Sequence, residues 1–225
     1  LTNSEGHEDH IDLIRKGENP DSIPNAIRHD DCESLQQLIA SLNFDINGRA
    51  TSSIYEICSF INKKPTLIEY ASFYGAVNCF KYLLLSGAKL PRYIFEIAVA
   101  GGNSEIIHLI TQNENFFLSN NAAYNSILFH RLELFEWLLT NYPTAVKNYE
   151  VLAVKCIEES SFDIFQQFLR EGTNPNGLPT APIPLAAIKN DNLRLVDFLF
   201  RIEQVDVNIT DRNGHTVLHL ACLEN

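Results

Sequence analysis

The chain has 225 residues, of which 45% are hydrophobic, and its 28 acidic side chains outnumber 17 basic ones, for a formal net charge of −11. Phosphate backbones and anionic lipid surfaces select for Lys and Arg, so this charge argues against nucleic acid and a membrane surface as partners. No stretch of the sequence approaches the roughly 18 consecutive apolar residues that a membrane-spanning helix requires.

Residues 1–19 are predicted to be an N-terminal tail or part of a repeat, ahead of a repeat array over residues 20–225. The segment from Ile14 to Asp21 has Gly, Asn and Pro at the same spacing as the segment from Leu169 to Asn176. That similarity favours the end of a second helix of a further repeat. A frayed terminal segment is the alternative.

A frame of fixed spacing recurs six times along the chain. In each frame a small residue is followed twelve positions later by a large apolar one, and the pairs are Ala26/Leu38, Ala71/Leu83, Ala98/Ile110, Ser126/Leu138, Cys156/Phe168 and Ala187/Leu199. Apolar residues eight, nine and twelve positions after the small one share a helical face, and short polar runs before them suit a turn and a helix start. The unit is therefore a helix–turn–helix, and its repetition predicts a stacked array.

Residues 48–64 make the first interval, from Ala26 to Ala71, longer than the others. They contain an apolar run from Ile54 to Ile61. We predict an extra short helix here, packed on the stack, because a long loop without structure is unusual in a compact domain.

The last unit contains the most specific motif. Residues 211–216 read Asp-Arg-Asn-Gly-His-Thr, and residues 216–221 read Thr-Val-Leu-His-Leu-Ala. They resemble the D-x-x-G-x-T turn and the T-P-L-H-x-A helix start of ankyrin repeats, with Val217 in place of Pro. The resemblance implies an all-α, ankyrin-like α-solenoid of about six helix–turn–helix repeats.

The earlier units are shorter and resemble the divergent ankyrin repeats of some protists. From Ala71 onward the small residues are 27, 28, 30, 31 and 34 positions apart, against about 33 in an ankyrin repeat. The missing residues fall where the β-hairpin finger should be. We therefore expect short or missing fingers in the middle units and a fuller finger in the last one.

The resemblance also implies a binding surface. Ankyrin domains bind other proteins on a concave face formed by fingers and first helices, and the exposed positions lie two and three residues after each small residue. The candidate partner-binding residues are Phe73, Tyr74, Leu128, Phe129, Glu158 and Glu159. Interfaces favour such aromatic anchors with charge at the rim. With short fingers, the alternative is that the aromatic residues are core.

The sequence contains no catalytic, cofactor-binding or metal-binding motif that we recognise. His7 and His10 lack the H-E-x-x-H spacing, and Gly101–Gly102 is better explained as a helix–turn junction. The five cysteines form no Cys-x-x-Cys pair and are typical of a reducing compartment, so we expect a cytoplasmic location.

We therefore expect a scaffold or adaptor that binds another protein, without catalysis or a cofactor. The alternative is a targeting or regulatory array of a larger protein whose effector or enzymatic domain lies outside these residues. The chain ends at Asn225, early in a repeat, and contains no Met. The sequence is accordingly expected to be a fragment, with its last repeat truncated.

Overall fold

The computed structural model describes residues 5–56, 58–61, 63–114, 116–119, 121–146, 149–170, 183–190, 193–201, 206, 208–211 and 213–223. Within these ranges the side chains of residues 5–9, 145, 150 and 183 are not described. The chain divides into two compact units, Leu1–Phe117 and Leu118–Asn225.

Unit 1 consists of one leading helix and, among its described residues, three helix pairs. The helices are α1 (Glu5–Lys16), α2 (Ser22–Arg28), α3 (Cys32–Leu42), α4 (Leu67–Tyr74), α5 (Val77–Leu85), α6 (Ile94–Gly101) and α7 (Ser104–Thr111). The first helices of the pairs, α2, α4 and α6, pack in series against one another. The second helices α3, α5 and α7 pack in the same order behind them. Unit 1 is thus a stack with two layers of helices.

Unit 2 repeats this construction. Its helices are α8 (Asn121–Leu128), α9 (Leu132–Asn141), α10 (Tyr149–Glu158), α11 (Phe162–Arg170), α12 (Ile183–Lys189), α13 (Leu193–Phe200) and α14 (Val217–Leu223), with a 3-10 turn at Pro143–Ala145 after α9. The first helices α8, α10, α12 and α14 pack in series, and α9 packs against α11. Within the described part of the chain, six helix pairs therefore stand where the sequence predicts about six repeats.

The recurring small residue is buried in every repeat, because the first helix meets its neighbours there. Exposure is 7% or less at each of these positions, which are Ala26, Ala71, Ala98, Ser126, Cys156 and Ala187. The large residue twelve positions later is also buried in five repeats, and Leu38 is half-buried. The predicted frame is thus the core pattern of the array.

The turn inside each of the first five repeats has a left-handed residue four positions after the small one. Positive φ angles between 54° and 86° occur at Asp30, Gly75, Gly102, His130 and Ser160; the equivalent residue 191 lies outside the described residues. Three of these are not glycine, although non-glycine residues rarely adopt this conformation. The stacking of the helices, more than the residue type, therefore dictates the turn.

Helix starts are capped within repeats and also between them. Helix α4 begins with a capping box, in which Thr66 and Glu69 bind each other's backbone N–H groups. Helix α5 has no side-chain cap of its own. Instead, the carboxylate of Asp30 in the preceding turn accepts hydrogen bonds from the N–H groups of Asn78, at 3.1 Å, and Cys79, at 2.9 Å. One repeat thus fixes the helix start of the next.

The fuller finger predicted in the last repeat is present. Thr210 and Thr216 form an antiparallel bridge, and between them the Asp211 carboxylate accepts hydrogen bonds from the N–H groups of Asn213, at 2.8 Å, and His215, at 2.9 Å. The hydrogen bond from His215 is the main reason that the pKa of Asp211 lies below its usual value. The turn motif read in the sequence therefore folds through its aspartate.

The insertion, residues 48–64, occupies the finger position of the α4–α5 repeat. An antiparallel bridge joins Arg49 to Thr66 at its base, and its described residues form turns and irregular segments in place of the predicted short helix. The apolar run does not bury one helical face, since Ile54 is 84% exposed whereas Glu56 and Ile61 are buried. The insertion is an enlarged finger.

Candidate protein-interaction surface

The predicted partner-binding residues lie at the C-terminal ends of three first helices. Phe73 and Tyr74 end α4 in unit 1, and the other four, Leu128, Phe129, Glu158 and Glu159, lie at or just after the ends of α8 and α10 in unit 2. Glu158 is exposed, and the other five are half-buried. The aromatic residues are therefore neither fully exposed anchors nor fully buried core.

In unit 1 the insertion contacts both predicted aromatic residues. The ring of Phe60 stacks on the ring of Phe73, with centroids 5.8 Å apart and 30° between the planes. The hydroxyl of Tyr74 donates a hydrogen bond to the carboxylate of Glu56. The chain thus covers part of this predicted binding surface with its own finger.

Glu56 is the centre of a buried polar cluster. Its side chain is 3% exposed, and it accepts hydrogen bonds from the hydroxyl of Tyr70, at 2.7 Å, and from Nη1 of Arg28, at 3.3 Å, besides the one from Tyr74. The Arg28 guanidinium also lies over the Tyr74 ring, 4.6 Å from its centroid, and 3.6 Å from a carboxylate oxygen of Glu18. A buried carboxylate needs such partners, because an unpaired charge in the interior is costly.

Burial and the neighbouring carboxylate also affect the two tyrosines. Desolvation is the main cause that raises the pKa of Tyr70 and Tyr74 well above the usual value, and the hydrogen bonds to Glu56 raise both further. Both hydroxyls therefore stay protonated and act as donors at neutral pH.

Sequence reasoning missed Glu56 and Tyr70 as members of this cluster. The available signal was a single acidic residue within an otherwise largely apolar run. A charged residue in such a run is buried only where a partner is supplied. Its partners, Arg28, Tyr70 and Tyr74, are brought together only by the stacking of α2 on α4.

The third repeat has no room for a side chain at the equivalent edge of unit 1. A Cβ atom on Gly101 would lie 2.5 Å from the carbonyl oxygen of Phe73 and 2.6 Å from that of Ser72. Ala100, the residue before it, is fully buried. Helices α4 and α6 therefore approach closely through a glycine.

In unit 2 the packing of α8 against α10 brings the ends of two first helices side by side. Leu128 and Phe129 supply apolar surface there, and Glu158 and Glu159 supply acidic groups. Lys155 binds both carboxylates, at 2.6 Å and 3.6 Å, and the hydrogen bond with Glu158 is the main cause that raises the lysine pKa. The pair therefore retains a net negative charge.

A cleft of about 600 Å³ in unit 2 is lined by His130, Ser161, Asp163 and Arg194, among others. The Ser161 hydroxyl donates its proton to the carbonyl of Ile127 at 2.6 Å. In the 2.8 Å contact with Nδ1 of His130, the histidine must then be the donor. This serine–histidine pair ties two turns together and is not arranged as a nucleophile with its general base.

Two of the cysteines, Cys79 and Cys156, are buried in the core. Burial raises the pKa of the Cys79 and Cys156 thiols, which keeps them in the unreactive protonated form. Among the described residues, no group of three or more His, Cys, Asp and Glu side chains could hold a metal ion. The His7-to-Asp9 side chains lie outside the described set.

None of the helices in the described part of the chain is both long and apolar enough to span a membrane. No family model matches the sequence, and no curated protein matches it. Among solved structures, the chain is similar to the crystal structure of the human ASB11 ankyrin repeat domain, with 19% sequence identity and a TM-score of 0.58. The similarity covers 91% of this chain and 92% of that one.

Proposed function

Because the chain has the ankyrin-repeat fold, we propose that it is a protein-binding module that acts as a scaffold or adaptor and carries out no catalysis. The observation that carries the proposal is the alignment of first-helix ends on neighbouring repeats. Within each unit such an alignment offers an open surface, and that arrangement suits recognition of another protein. Fold alone does not determine function, so the surface residues have to be tested.

In unit 2 the proposed contact surface is formed by Leu128, Phe129, Glu158 and Glu159. Half-buried apolar side chains beside acidic ones resemble the mixed centre and rim of an interface. The net charge of −11 favours a partner with a basic surface, because opposite charges speed association. In unit 1 we propose that Phe73 and Tyr74, which the finger partly covers, also belong to the contact surface.

Two observations support a role without catalysis. The hydroxyl of Ser161 is already committed to the carbonyl of Ile127. Burial raises the pKa of the Cys79 and Cys156 thiols, so neither is a candidate nucleophile at neutral pH. We further propose a reducing compartment such as the cytoplasm, which the five free cysteines favour.

The test compares binding by the wild-type chain and a double variant, Glu158→Gln with Glu159→Gln. Proteins retained from a source-cell lysate by the immobilised wild-type chain would be identified, purified and titrated against each form. We expect the double variant to bind more weakly and with a smaller salt dependence of association, since exposed charges act mainly through long-range attraction.

A matched control carries the same two changes on the other layer of helices, at the exposed Glu133 and Glu136 of α9. Circular dichroism would establish that all three forms are folded. Binding that weakens equally in the test and control variants would rule out the unit 2 surface. If no protein is retained in an amount that rises with the amount of immobilised chain, the binding-module proposal itself is contradicted.

A further inference from the structure

The insertion, residues 48–64, lies against the first helices of unit 1 through side chains. Glu56 reaches Arg28 on α2 and two tyrosines on α4, and Phe60 stacks on Phe73. Its backbone is joined to the repeat at the base, where the amide of Ala50 donates to the carbonyl of Pro65 at 2.8 Å and Arg49 bridges Thr66. The contact with α2 and α4 is therefore of the kind that a bound peptide makes.

The carboxylate of Glu56 enters a built site. Two hydroxyls and a guanidinium converge on it, so each of its oxygens accepts at least one hydrogen bond from outside the insertion. Hydrogen bonds in which one group is charged are stronger than neutral ones, and they confer directionality. The site on α2 and α4 therefore suits an acidic group that can accept several hydrogen bonds.

The second element of recognition is aromatic. Phe73 receives the ring of Phe60 on one side and makes an edge-on contact with Tyr74, with centroids 5.1 Å apart. Tyr74 thus contacts both the carboxylate site and the aromatic platform. The two sites accept groups that lie four residues apart in the insertion, at positions 56 and 60.

The tip of the insertion is open to solvent, in contrast to these two anchors. Ser52 is exposed, Ile54 is 84% exposed, and Lys63 and Lys64 on the returning segment are exposed as well. Besides the two anchors, the insertion has a buried side chain at Ile61 and hydrogen bonds from Thr51 to Asp21 and from Asn19 to the carbonyl of Thr51. These contacts are local to the insertion and its base, so the segment can leave its site without unfolding the helices beneath it.

We propose that α2 and α4 form a binding site for a peptide segment that carries a carboxylate and, four residues further on, an aromatic ring. The insertion fills this site in the free chain, and a partner segment with the same two groups competes with it. The competition rests on the protein-binding function proposed above. The site itself is a property of Arg28, Tyr70, Tyr74 and Phe73 and is testable without any partner.

The test separates the insertion from its site. Residues 50–65 would be replaced by Asp-Arg-Asn-Gly-His, the finger that the chain itself uses between the bridged Thr210 and Thr216. A fluorescent synthetic peptide of residues 50–65, with serine at position 58 to prevent disulfide formation, would then be titrated and its anisotropy measured. We expect saturable binding to the shortened chain and much weaker binding to the wild-type chain, whose site is filled.

Three matched changes test the recognition. A Glu56→Gln peptide and a Phe60→Ala peptide should each bind at least about tenfold more weakly, because each loses one anchor. A Tyr74→Phe change in the shortened chain should reduce the affinity for the wild-type peptide more than the affinity for the Glu56→Gln peptide. A folded shortened chain that does not bind the peptide, or that binds all three peptides equally, would overturn the proposal.

A second measurement covers the case in which the shortened chain does not fold. In the full chain, Glu56→Ala with Phe60→Ala should speed tryptic cleavage after Lys63 by at least about tenfold, while the helices keep their circular dichroism. An unchanged cleavage rate would overturn the proposal. Neither experiment uses a cellular partner. Their outcomes therefore do not depend on whether the lysate experiment finds a binding protein.

Discussion

The carboxylate of Asp30 caps helix α5 of the following repeat through the backbone N–H of Cys79, at a distance of 2.9 Å. The backbone N–H of Asn78 donates to the same carboxylate. Asp30 is thus joined to two residues that lie 48 and 49 positions further along the sequence. The capping group of α5 belongs to a different repeat. Stability at this junction therefore depends on both repeats together.

Replacing Asp30 with alanine should lower the free energy of unfolding by about 1–2 kcal/mol, the usual cost of losing an N-cap. Asp30→Asn should cost much less, because the amide oxygen can accept the same bonds and asparagine tolerates a left-handed backbone. Urea denaturation of the two variants beside the wild type measures the difference. Equal losses for both would show that the carboxylate charge, and not its geometry, matters.

Replacing Ser160 with glycine should stabilise the chain by about 1 kcal/mol. Ser160 has a φ of 55°, where a Cβ atom is strained and glycine is not. The reverse change at the equivalent turn, Gly75→Ala, should destabilise by a similar amount, because φ there is 68°. Thermal unfolding would show whether each variant is more or less stable than the wild type. A destabilised Ser160→Gly variant would contradict the strain argument.

Replacing Gly101 with alanine should destabilise unit 1 by about 2–3 kcal/mol through overpacking. The added Cβ would lie 2.5 Å from the carbonyl oxygen of Phe73, so the backbones of α4 and α6 would have to separate. The sign is informative, since a Gly→Ala change in an unobstructed helix stabilises by up to about 1 kcal/mol. A variant with a raised urea midpoint would show that the two helices are not in close contact.

Alkaline pH should weaken unit 1 through its buried tyrosines. The pKa values of Tyr70 and Tyr74 are raised in the folded chain, mainly by burial, so their contribution is complete below the unfolded pKa of about 10. It is lost as pH rises beyond that value, because the unfolded chain releases these protons first. Stability measured by urea denaturation across this range should fall less steeply in a Tyr74→Phe variant than in the wild type.

Tyrosinate absorbance provides an independent check on the same groups. In the folded wild type, two tyrosines should ionise only together with the loss of helical circular dichroism, and in the variant only one should do so. Tyrosines that all titrate before the helices are lost would contradict the assignment of Tyr70 and Tyr74 as protected donors.

The sequence predicts the array well because the array is built from local repetition. The small residue of each frame is buried, and the last finger folds around the aspartate that its motif indicates. The insertion could not be predicted in the same way, since Glu56 finds Arg28 and Tyr70 only after α2 and α4 have stacked. The apolar run around Glu56 predicted a helix because a short apolar segment does not distinguish a helix from an irregular loop that buries a few side chains.

The same difference between local repeats and long-range contacts explains why the candidate surface was only partly predictable from the sequence. The frame identifies the positions at the ends of the first helices, including Phe73 and Tyr74. It contains no information about a finger that folds back on them, because the contacts of Phe60 and Glu56 lie outside the repeating pattern. Only the three-dimensional arrangement distinguishes an available aromatic residue from one that is already in contact.

The bridge between Arg49 and Thr66 has a practical consequence for protein engineering. It holds the two ends of the insertion together, so a graft between them leaves the registration of the α4–α5 pair unchanged. The entropy of closing a loop grows slowly with length, by only about 0.6 kcal/mol for each doubling. Closing a foreign loop at this junction should therefore cost little, and the main cost of such a graft is the loss of the hydrogen bonds that Glu56 accepts from Arg28 and Tyr70.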